Sequence, residues 1–225
     1  MKWENSVNLP YLNKNEDAMV IIYGTDFHIN SPTFPEILTH EELIYSEKFK
    51  NGGHKISWLS CRATLRLILG NYLNKNPTEV ELKKGRFGKL YLPATDLFFN
   101  VSHSNNAFLL GFSVGGRIGV DIELLDGSED LSSMVSYAFS EVEAKSCNYG
   151  QKCERFTEIW TLKEAFLKAI GIGLVDKLTA ITVIECEQNE IMRLKLNQKS
   201  FICPNGETAS IVYRKNKTVK FIWLK

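Results

Sequence analysis

The segment at residues 119–123 (GVDIE) places two carboxylates two positions apart. Side chains alternate between the two faces of a β-strand, so Asp121 and Glu123 share one face while Val120 and Ile122 occupy the other. Two acids in one small area are typical of a cation-binding site. They are equally typical of a strand whose charged face lies in water, and the pair alone leaves both interpretations open.

A second pattern of charges lies at residues 160–168 (WTLKEAFLK). On a helix, a spacing of four residues aligns Trp160, Glu164 and Lys168 in one stripe. Glu164 and Lys168 can form an ordinary surface pair, which contributes only about 0.3–0.5 kcal/mol to stability. The stripe by itself therefore does not require a function.

The two patterns together predict a metal site if the helix stripe faces the strand. Asp121, Glu123 and Glu164 then converge, and each pair of like charges about 4 Å apart costs roughly 4 kcal/mol at an effective dielectric constant of about 20. A divalent cation would remove this repulsion. Because the set holds carboxylate oxygens and no histidine or cysteine, it favours Mg²⁺, which keeps water ligands and also binds phosphate oxygens.

Three further segments carry groups that can bind anions. Ser102 and His103 lie in an NVSHS segment that follows an apolar strand and is expected to form a turn. Residues 83–89 (KKGRFGK) combine basic side chains with glycines, a composition that is also typical of a solvated hairpin. Arg62 and Arg66 lie one turn apart on an amphipathic helix, where they can bind phosphate or extend along the surface.

The elements that must position these groups follow from hydrophobic periodicity and from turn residues. Asn51, Gly52 and Gly53 are expected to separate the first two helices, and Gly70 with Asn71 to end the second. Helices are predicted at residues 39–50, 56–70, 131–148 and 153–170, and strands at residues 18–24, 79–82, 90–92, 97–101, 108–114, 117–124, 181–187, 191–196, 208–213 and 219–224.

The order of helices first and strands afterwards occurs twice along the chain. This order predicts an α+β fold of two similar subdomains related by pseudo-two-fold symmetry, at residues 1–114 and 115–225. The short SVGG segment between them is not a free linker. We therefore expect the subdomains to pack closely, with the active site at their interface.

Composition excludes several classes of function. The chain has 225 residues, of which 44% are hydrophobic, and its net charge of +1 gives no overall field that would attract nucleic acid or anionic lipid. The N-terminus has no signal-peptide pattern, and the apolar run at residues 18–23 is too short to cross a membrane. Five cysteines without metal-like spacing are expected to be free thiols, which together with the missing signal predicts a cytoplasmic protein.

Taken together and in this order, Gly88-Lys89, NVSHS, GVDIE and WTLKEAFLK resemble the motifs of the Sfp-type 4'-phosphopantetheinyl transferases, in the holo-acyl-carrier-protein synthase superfamily. The last two motifs are the specific ones, and the resemblance spans residues 39–174. Members of this family commonly have proline after the Gly-Lys pair, whereas Leu90 follows it here.

The resemblance implies a role for each matching residue. The metal-binding acids would be Asp121, Glu123 and Glu164, and Lys168 would lie beside the reacting phosphate. The residues expected to hold the coenzyme A phosphates are Arg62, Lys89, Ser102, His103 and Lys168. The basic residues near Arg62 do not align unambiguously and stay weak candidates: Lys48, Lys50, His54 and Lys55.

The implied function is magnesium-dependent transfer of 4'-phosphopantetheine from coenzyme A to a serine of an apo acyl carrier or peptidyl carrier protein, by a monomer. Asp121, Glu164 and Lys168 would be the catalytic residues, with Glu164 or a metal-bound hydroxide as the base. A magnesium-dependent nucleotide or coenzyme A phosphohydrolase and a non-catalytic carrier-protein-binding module are the alternatives. The particular carrier protein is not encoded in any motif.

Overall fold

The computed structural model describes residues 4–6, 8–12, 18–25, 34–124, 131–147, 152–173, 178–184, 189–214 and 218–224. These residues form an α+β fold, as expected from the sequence. The helices are α1 (Phe34–Ile37), α2 (His40–Ser46), α3 (Gly52–Leu73), α4 (Leu131–Ala138), α5 (Glu141–Ser146), α6 (Lys152–Ile170) and α7 (Glu190–Arg193). The strands are β1 (Glu4–Ser6), β2 (Ala18–Thr25), β3 (Lys83–Lys84), β4 (Leu90–Tyr91), β5 (Leu97–Ser104), β6 (Ala107–Val114), β7 (Ile118–Glu123), β8 (Leu196–Ile202), β9 (Thr208–Arg214) and β10 (Thr218–Leu224).

The strands form two main sheets and a short hairpin. A five-stranded sheet has the order β1-β10-β2-β6-β5, in which β10 is parallel to both of its neighbours. A three-stranded antiparallel sheet has the order β7-β9-β8, and β3 pairs with β4. β10 pairs with β2. Residues 218–224 therefore lie in the same sheet as strands β1, β2, β5 and β6, which belong to the first 114 residues.

The layers are stacked in the order helix, sheet, sheet, helix. One core lies between α3 and the five-stranded sheet, and a second lies between the two sheets. Val120 and Ile122 are fully buried in this second core, so the alternate residues of β7 face α6. The third core joins α6 to the three-stranded sheet, where Val212 of β9 packs against it.

A close approach between β7 and α6 depends on Gly119. A Cβ atom at this position would lie 1.9 Å from the carbonyl oxygen of Ala165 and 2.4 Å from the amide nitrogen of Ala169. The helix backbone therefore rests directly on the strand backbone. A hydrogen bond of 2.8 Å between the hydroxyls of Thr161 and Ser210 also joins α6 to β9.

Several predicted boundaries need correction, because side-chain caps decide where these helices begin and end. Asn51 caps α3 by accepting hydrogen bonds from Gly53 and His54, so the two glycines open this helix instead of separating two helices. Gly70 does not end α3, which continues to Leu73 and stops at Asn74, a residue with a positive φ of 54°. Ser140 caps α5 and divides the helix predicted at residues 131–148 in two.

Two predicted strands are wrong over their described residues, and a third is wrong except at Leu196, where β8 begins. Residues 79–82 follow a 3-10 helix at Pro77–Glu79 that Asn76 caps, and no strand forms there. Residues 181–184 contain only an isolated bridge between Thr182 and Asn189, while residues 185–187 lie outside the described ranges, as does residue 148. Residues 191–193 belong to α7, because Asn189 caps a helix there.

The remaining strand predictions are confirmed with shifts of a few residues at their ends. The exception is β5, which extends to Ser104 and includes the NVSHS segment that was expected to form a turn. The two-subdomain division and its pseudo-two-fold symmetry stay predictions. Within the described ranges, none of the helices combines the length and apolarity needed to cross a bilayer.

Candidate active site

The candidate site lies in a cavity of about 910 Å³ between α3, the β3–β4 hairpin, β5 and the end of α6. Its walls carry cations on several elements and acids at both ends. The charged side chains that line it are Glu41, Glu42, Arg62, Arg66, Glu81, Lys84, Lys89, Glu164 and Lys168, and His103 lines it as well. Such a cavity can hold a ligand with several phosphate groups.

Asp121 is the most buried acid of the site, with 2% of its surface exposed. Its Oδ1 atom accepts hydrogen bonds from the Ser102 hydroxyl at 2.7 Å and from the Lys168 ammonium at 2.5 Å. The Lys168 ammonium also donates to the Ser102 hydroxyl oxygen, at 3.0 Å. The second oxygen, Oδ2, is buried and has no hydrogen-bond partner among the described residues.

Glu123 lies two residues along the same face of β7. Burial and the charge of Asp121 raise its pKa to about 7, whereas Lys168 and hydrogen bonds from Ser104 and Trp160 act in the opposite direction. Ser104 approaches from β5 and Trp160 from α6. The carboxyl group is thus held between a strand and a helix.

Glu164 is half-buried and lines the cavity one helical turn before Lys168. Its pKa is raised, first by burial and then by the charge of Asp121, while Lys168 lowers it. Asp121 thus affects both other acids, which agrees with the expectation that the helix stripe faces the strand.

The three acids offer carboxylate oxygens that could bind a metal ion. Among the described residues, no three histidine, cysteine or carboxylate side chains already stand in an arrangement that could hold one. Mg²⁺, however, needs only one or two carboxylates beside water and phosphate oxygens. The buried Oδ2 of Asp121, which has no hydrogen-bond partner among the described residues, is an oxygen available to such an ion. The donor set therefore fits Mg²⁺.

Lys89 lies at the end of α6, where the last carbonyl groups of the helix lack partners. Its ammonium donates to the carbonyl oxygens of Ile118 at 3.0 Å and Lys168 at 2.5 Å. An ammonium has three N–H donors, so these two contacts do not exhaust it. Burial, followed by the charges of Arg117 and Lys168, lowers its pKa to about 8.

Ser102 and His103 point to opposite sides of β5, because adjacent residues of a strand alternate. Ser102 is buried behind Lys168 and Asp121, whereas His103 faces the cavity. The surrounding protein atoms, then Lys168 and Arg62, lower the pKa of His103 to about 4, although its ring stays accessible to solvent. His103 is accordingly a neutral hydrogen-bonding group at neutral pH.

The two helix arginines have different environments. Arg62 lines the cavity, pairs with Glu42 at 3.3 Å and lies over the ring of Trp58 at 5.2 Å. Arg66 is 4% exposed, pairs with the same Glu42 at 2.5 Å and donates to the carbonyl oxygen of Pro77 at 2.6 Å. Arg66 therefore stabilises the fold, and Arg62 remains the candidate for phosphate.

The weak candidates lie farther from the acids. Lys48 lies over the ring of Tyr45 at 5.3 Å, and Lys55 pairs with Glu47 at 2.8 Å. Neither they nor Lys50 and His54 line the cavity. The structure instead adds Lys84, which lines the cavity and lies 5.9 Å from the centre of the Tyr45 ring.

Sequence reasoning missed three contributors to this site. Glu42 lies in no motif of the sequence analysis, yet it pairs with both arginines. Ser104 and Trp160 were noted in their motifs without a role, and both hydrogen-bond to Glu123. No local pattern in the sequence indicates which distant arginine Glu42 meets.

Lys163, the other lysine of the WTLKEAFLK motif, belongs to a different environment. It is 1% exposed and pairs with the fully buried Glu143 at 2.8 Å. Its ammonium also donates to the carbonyl oxygens of Ala138 and Leu178. Lys163 therefore connects α6 to the segments around it and does not reach the cavity.

Comparison with known proteins gives a consistent result. Residues 117–217 match the family model of the 4'-phosphopantetheinyl transferase superfamily. The chain is 35% identical over 153 residues to the 4'-phosphopantetheinyl transferase HetI of Nostoc sp., covering 65% of this chain and 64% of HetI. It is 32% identical over 149 residues to the 4'-phosphopantetheinyl transferase AcpT of Salmonella typhi, covering 60% of this chain and 73% of AcpT.

A further relative extends this comparison. The phosphopantetheinyl transferase of Thraustochytrium sp. is 28% identical over 177 residues, which cover 71% of this chain and 62% of that protein. The chain thus spans less than two thirds of the length of HetI and of the Thraustochytrium protein.

Proposed function

Because this chain belongs to the 4'-phosphopantetheinyl transferase superfamily, we propose that it transfers 4'-phosphopantetheine from coenzyme A to a serine hydroxyl of an apo carrier protein. The second product is adenosine 3',5'-bisphosphate. The serine oxygen forms a bond to the β-phosphorus of coenzyme A, the diphosphate bond breaks, and the serine proton passes to a base.

The observation that supports this reaction best is the ion pair between Lys168, which lines the cavity, and the buried Asp121. Asp121, Glu123 and Glu164 would hold Mg²⁺ beside this ion pair. A bound Mg²⁺ would neutralise charge on the diphosphate and make the bisphosphate a better leaving group. Phosphoryl transfer depends mainly on positioning the substrate and on neutralising the charge of its phosphate groups. The side chains that line this cavity could do both.

Lys168 has the most direct role among the residues of the chain. Its ammonium lies between Asp121 and Ser102, and the side chain lines the cavity. From this position it meets the negative charge that develops on the bisphosphate leaving group. Asp121 and Ser102 fix the lysine, so little reorganisation is needed when the charge appears.

Glu164 is the residue that accepts the serine proton in this proposal. A carboxylate within hydrogen-bond reach of the serine hydroxyl can take up its proton as a general base. Glu164 lines the cavity one turn from Lys168, where the base and the group that meets the leaving-group charge act on the same substrate.

The outer part of the cavity would bind the rest of coenzyme A. Arg62 and Lys84 supply positive charge toward the α2–α3 end, and His103 supplies a neutral ring between that end and Lys168. Lys89 contributes its remaining donor near the end of α6. Phosphate groups at both ends of a bound coenzyme A would then face cations.

The test is transfer of a fluorescent pantetheine from labelled coenzyme A to purified apo carrier proteins in the presence of Mg²⁺. An apo acyl carrier protein and an apo peptidyl carrier protein are compared, each with a matched variant whose acceptor serine is alanine. We expect label on the serine form and none on the alanine form. Absence of label on every carrier, where a reference transferase succeeds, would contradict the proposal.

The same assay separates the alternative functions. Release of adenosine 3',5'-bisphosphate at the same rate without any carrier would identify a phosphohydrolase. Calorimetric binding of coenzyme A without turnover under any divalent metal would identify a binding module.

A further inference from the structure

Strands β5 and β7 are edge strands of different sheets, and side chains join them. Asn100 accepts a hydrogen bond from the backbone amide of Val120 at 2.8 Å, and Ser104 accepts one from the backbone amide of Leu124 at 3.0 Å. Both side chains lie on the face of β5 that also carries Ser102. Two polar side chains thus satisfy amide groups at the edge of β7.

Ser104 differs from Asn100 in one contact. Its hydroxyl oxygen already accepts the Leu124 amide hydrogen, so the hydroxyl proton is available to an acceptor on another side. Glu123 Oε2 lies 3.3 Å away and is that acceptor. The backbone of β7 therefore orients the hydroxyl group that meets the carboxylate of β7.

We infer that Ser104 is a positioning residue for Glu123, holding this carboxylate in place for a divalent cation shared with Asp121 and Glu164. The inference rests on the proposed function for the identity of the cation. Glu123 is the last residue of β7, where a long side chain can adopt several rotamers. Ligand binding fixes one of them, and the loss of the others costs conformational entropy.

Trp160 supports the same carboxylate from the opposite element. It acts on Glu123 by lowering the pKa of the carboxyl group, and its ring is stacked on Phe156 with an interplanar angle of 9°. Ser104 is 8% exposed and lies on a strand of the sheet. The surrounding structure therefore holds both Ser104 and Trp160 in place when the Glu123 side chain moves. Hydrogen-bond partners of this kind typically contribute 10-fold to 100-fold to metal affinity.

Mn²⁺ binding, measured by electron paramagnetic resonance, tests this role without relying on catalysis. We expect Ser104→Ala to raise the dissociation constant of Mn²⁺ about 10-fold or more. Ser104→Thr, which retains the hydroxyl group, should restore it to within a few fold of the wild-type value. In transfer assays, the same loss should appear as a higher Mg²⁺ requirement, with kcat largely recovered at saturating Mg²⁺.

Asn100→Ala is the matched control, since it removes a link between the same two strands without touching a carboxylate. We expect a lower melting temperature for both alanine variants but weaker Mn²⁺ binding only for Ser104→Ala. Equal Mn²⁺ affinity in Ser104→Ala and the wild type would overturn the inference, and so would equal weakening in Asn100→Ala.

The outcome stays distinguishable from a failure of the proposed function. A wild-type protein that binds Mn²⁺ but transfers no pantetheine would contradict the proposed function, while the comparison of the Ser104 variants would still hold. A wild-type protein that binds no Mn²⁺, with or without coenzyme A, would overturn the role of Ser104.

Discussion

The ammonium group of Lys168 lies 2.5 Å from Oδ1 of Asp121, while Oδ2 of the same carboxylate has no hydrogen-bond partner among the described residues. The lysine thus occupies one oxygen of the acid that is expected to bind Mg²⁺. It supplies positive charge that a bound cation would otherwise supply. Lys168 and a bound metal ion would therefore compete electrostatically, although each could use a different oxygen.

Replacing Lys168 should separate metal binding from transfer. Lys168→Met removes a positive charge next to the acids, so we expect Mg²⁺ to bind several-fold more tightly in the absence of coenzyme A. Transfer should fall by about 100-fold or more, because no ammonium group remains to meet the leaving-group charge. Calorimetry and the fluorescent transfer assay measure the two effects. Weaker Mg²⁺ binding in this variant would contradict the competition.

Asp121→Asn should abolish transfer while retaining the fold. Asparagine keeps the shape of the side chain and an acceptor for Ser102 and Lys168, but it removes the charge that a cation needs. It is a better variant than alanine, which would leave both donors without their acceptor. We expect less than about 1% of wild-type transfer, equivalent to a barrier increase of roughly 3 kcal/mol. Circular dichroism serves as the control, and substantial residual activity would remove Asp121 from the site.

Metal affinity should increase with pH between about 6 and 8. The pKa of Glu123 is raised to about 7, so below this value a proton occupies a group that must be ionised to bind a cation. One unit below the pKa, about a tenth of the carboxyl groups are ionised, which predicts about 10-fold weaker binding at pH 6 than at high pH. Glu123→Gln should bind Mg²⁺ weakly at all pH values. A flat profile in the wild type would contradict the prediction.

Without a metal ion, the raised pKa of Glu123 makes the folded state less stable as pH increases, opposite to its effect on metal affinity. A carboxyl group whose pKa is raised on folding stabilises the folded state below its ordinary pKa of 4.5, and this contribution is lost as pH rises through about 7. We therefore expect Mg²⁺ to raise the melting temperature more at pH 8 than at pH 5. Thermal unfolding with and without Mg²⁺ measures the difference, and an equal effect at both pH values would be the contrary result.

The pairing of Asp121 with Glu123 could be predicted because it depends only on the two-residue repeat of a strand, and the Trp160, Glu164 and Lys168 stripe depends only on the helical repeat. Whether these two groups of residues come together could not be predicted, because local periodicity gives no information about the distance between α6 and β7. Gly119 carries the missing information, yet a glycine in a strand does not reveal which element approaches it.

The errors in secondary structure have a common physical origin. Apolar residues near 191 suggested a strand, but the side chain of Asn189 accepts the amide of Met192 and donates to the carbonyl oxygens of Val183 and Ile184. These bonds begin a helix and fix its place against a neighbouring segment. Polar side chains that meet distant backbone groups therefore override the hydrophobic pattern.

Gly119→Ala should disrupt both stability and activity. The new methyl group would lie 1.9 Å from the carbonyl oxygen of Ala165, so α6 must move away from β7. We expect the free energy of unfolding to fall by about 1–3 kcal/mol. Displacement of Glu164 and Lys168 by about 1 Å should lower transfer by roughly 100-fold. Gly52→Ala, whose Cβ meets nothing within 4 Å, is the control, and normal activity in Gly119→Ala would contradict this account.

Lys163→Met tests whether the second lysine of the WTLKEAFLK motif acts through stability alone. Its removal leaves the fully buried Glu143 without its cation, which predicts a loss of about 3–5 kcal/mol in the free energy of unfolding. The double variant Lys163→Met/Glu143→Gln should recover part of this loss, because it also removes the buried charge of Glu143. Recovery should be incomplete, because Glu143 also accepts the backbone amides of Ser140 and Val183. Denaturant unfolding gives the coupling energy. At a temperature where the variants remain folded, Mg²⁺ affinity should match the wild type, and a selective loss of metal binding would place Lys163 in the site after all.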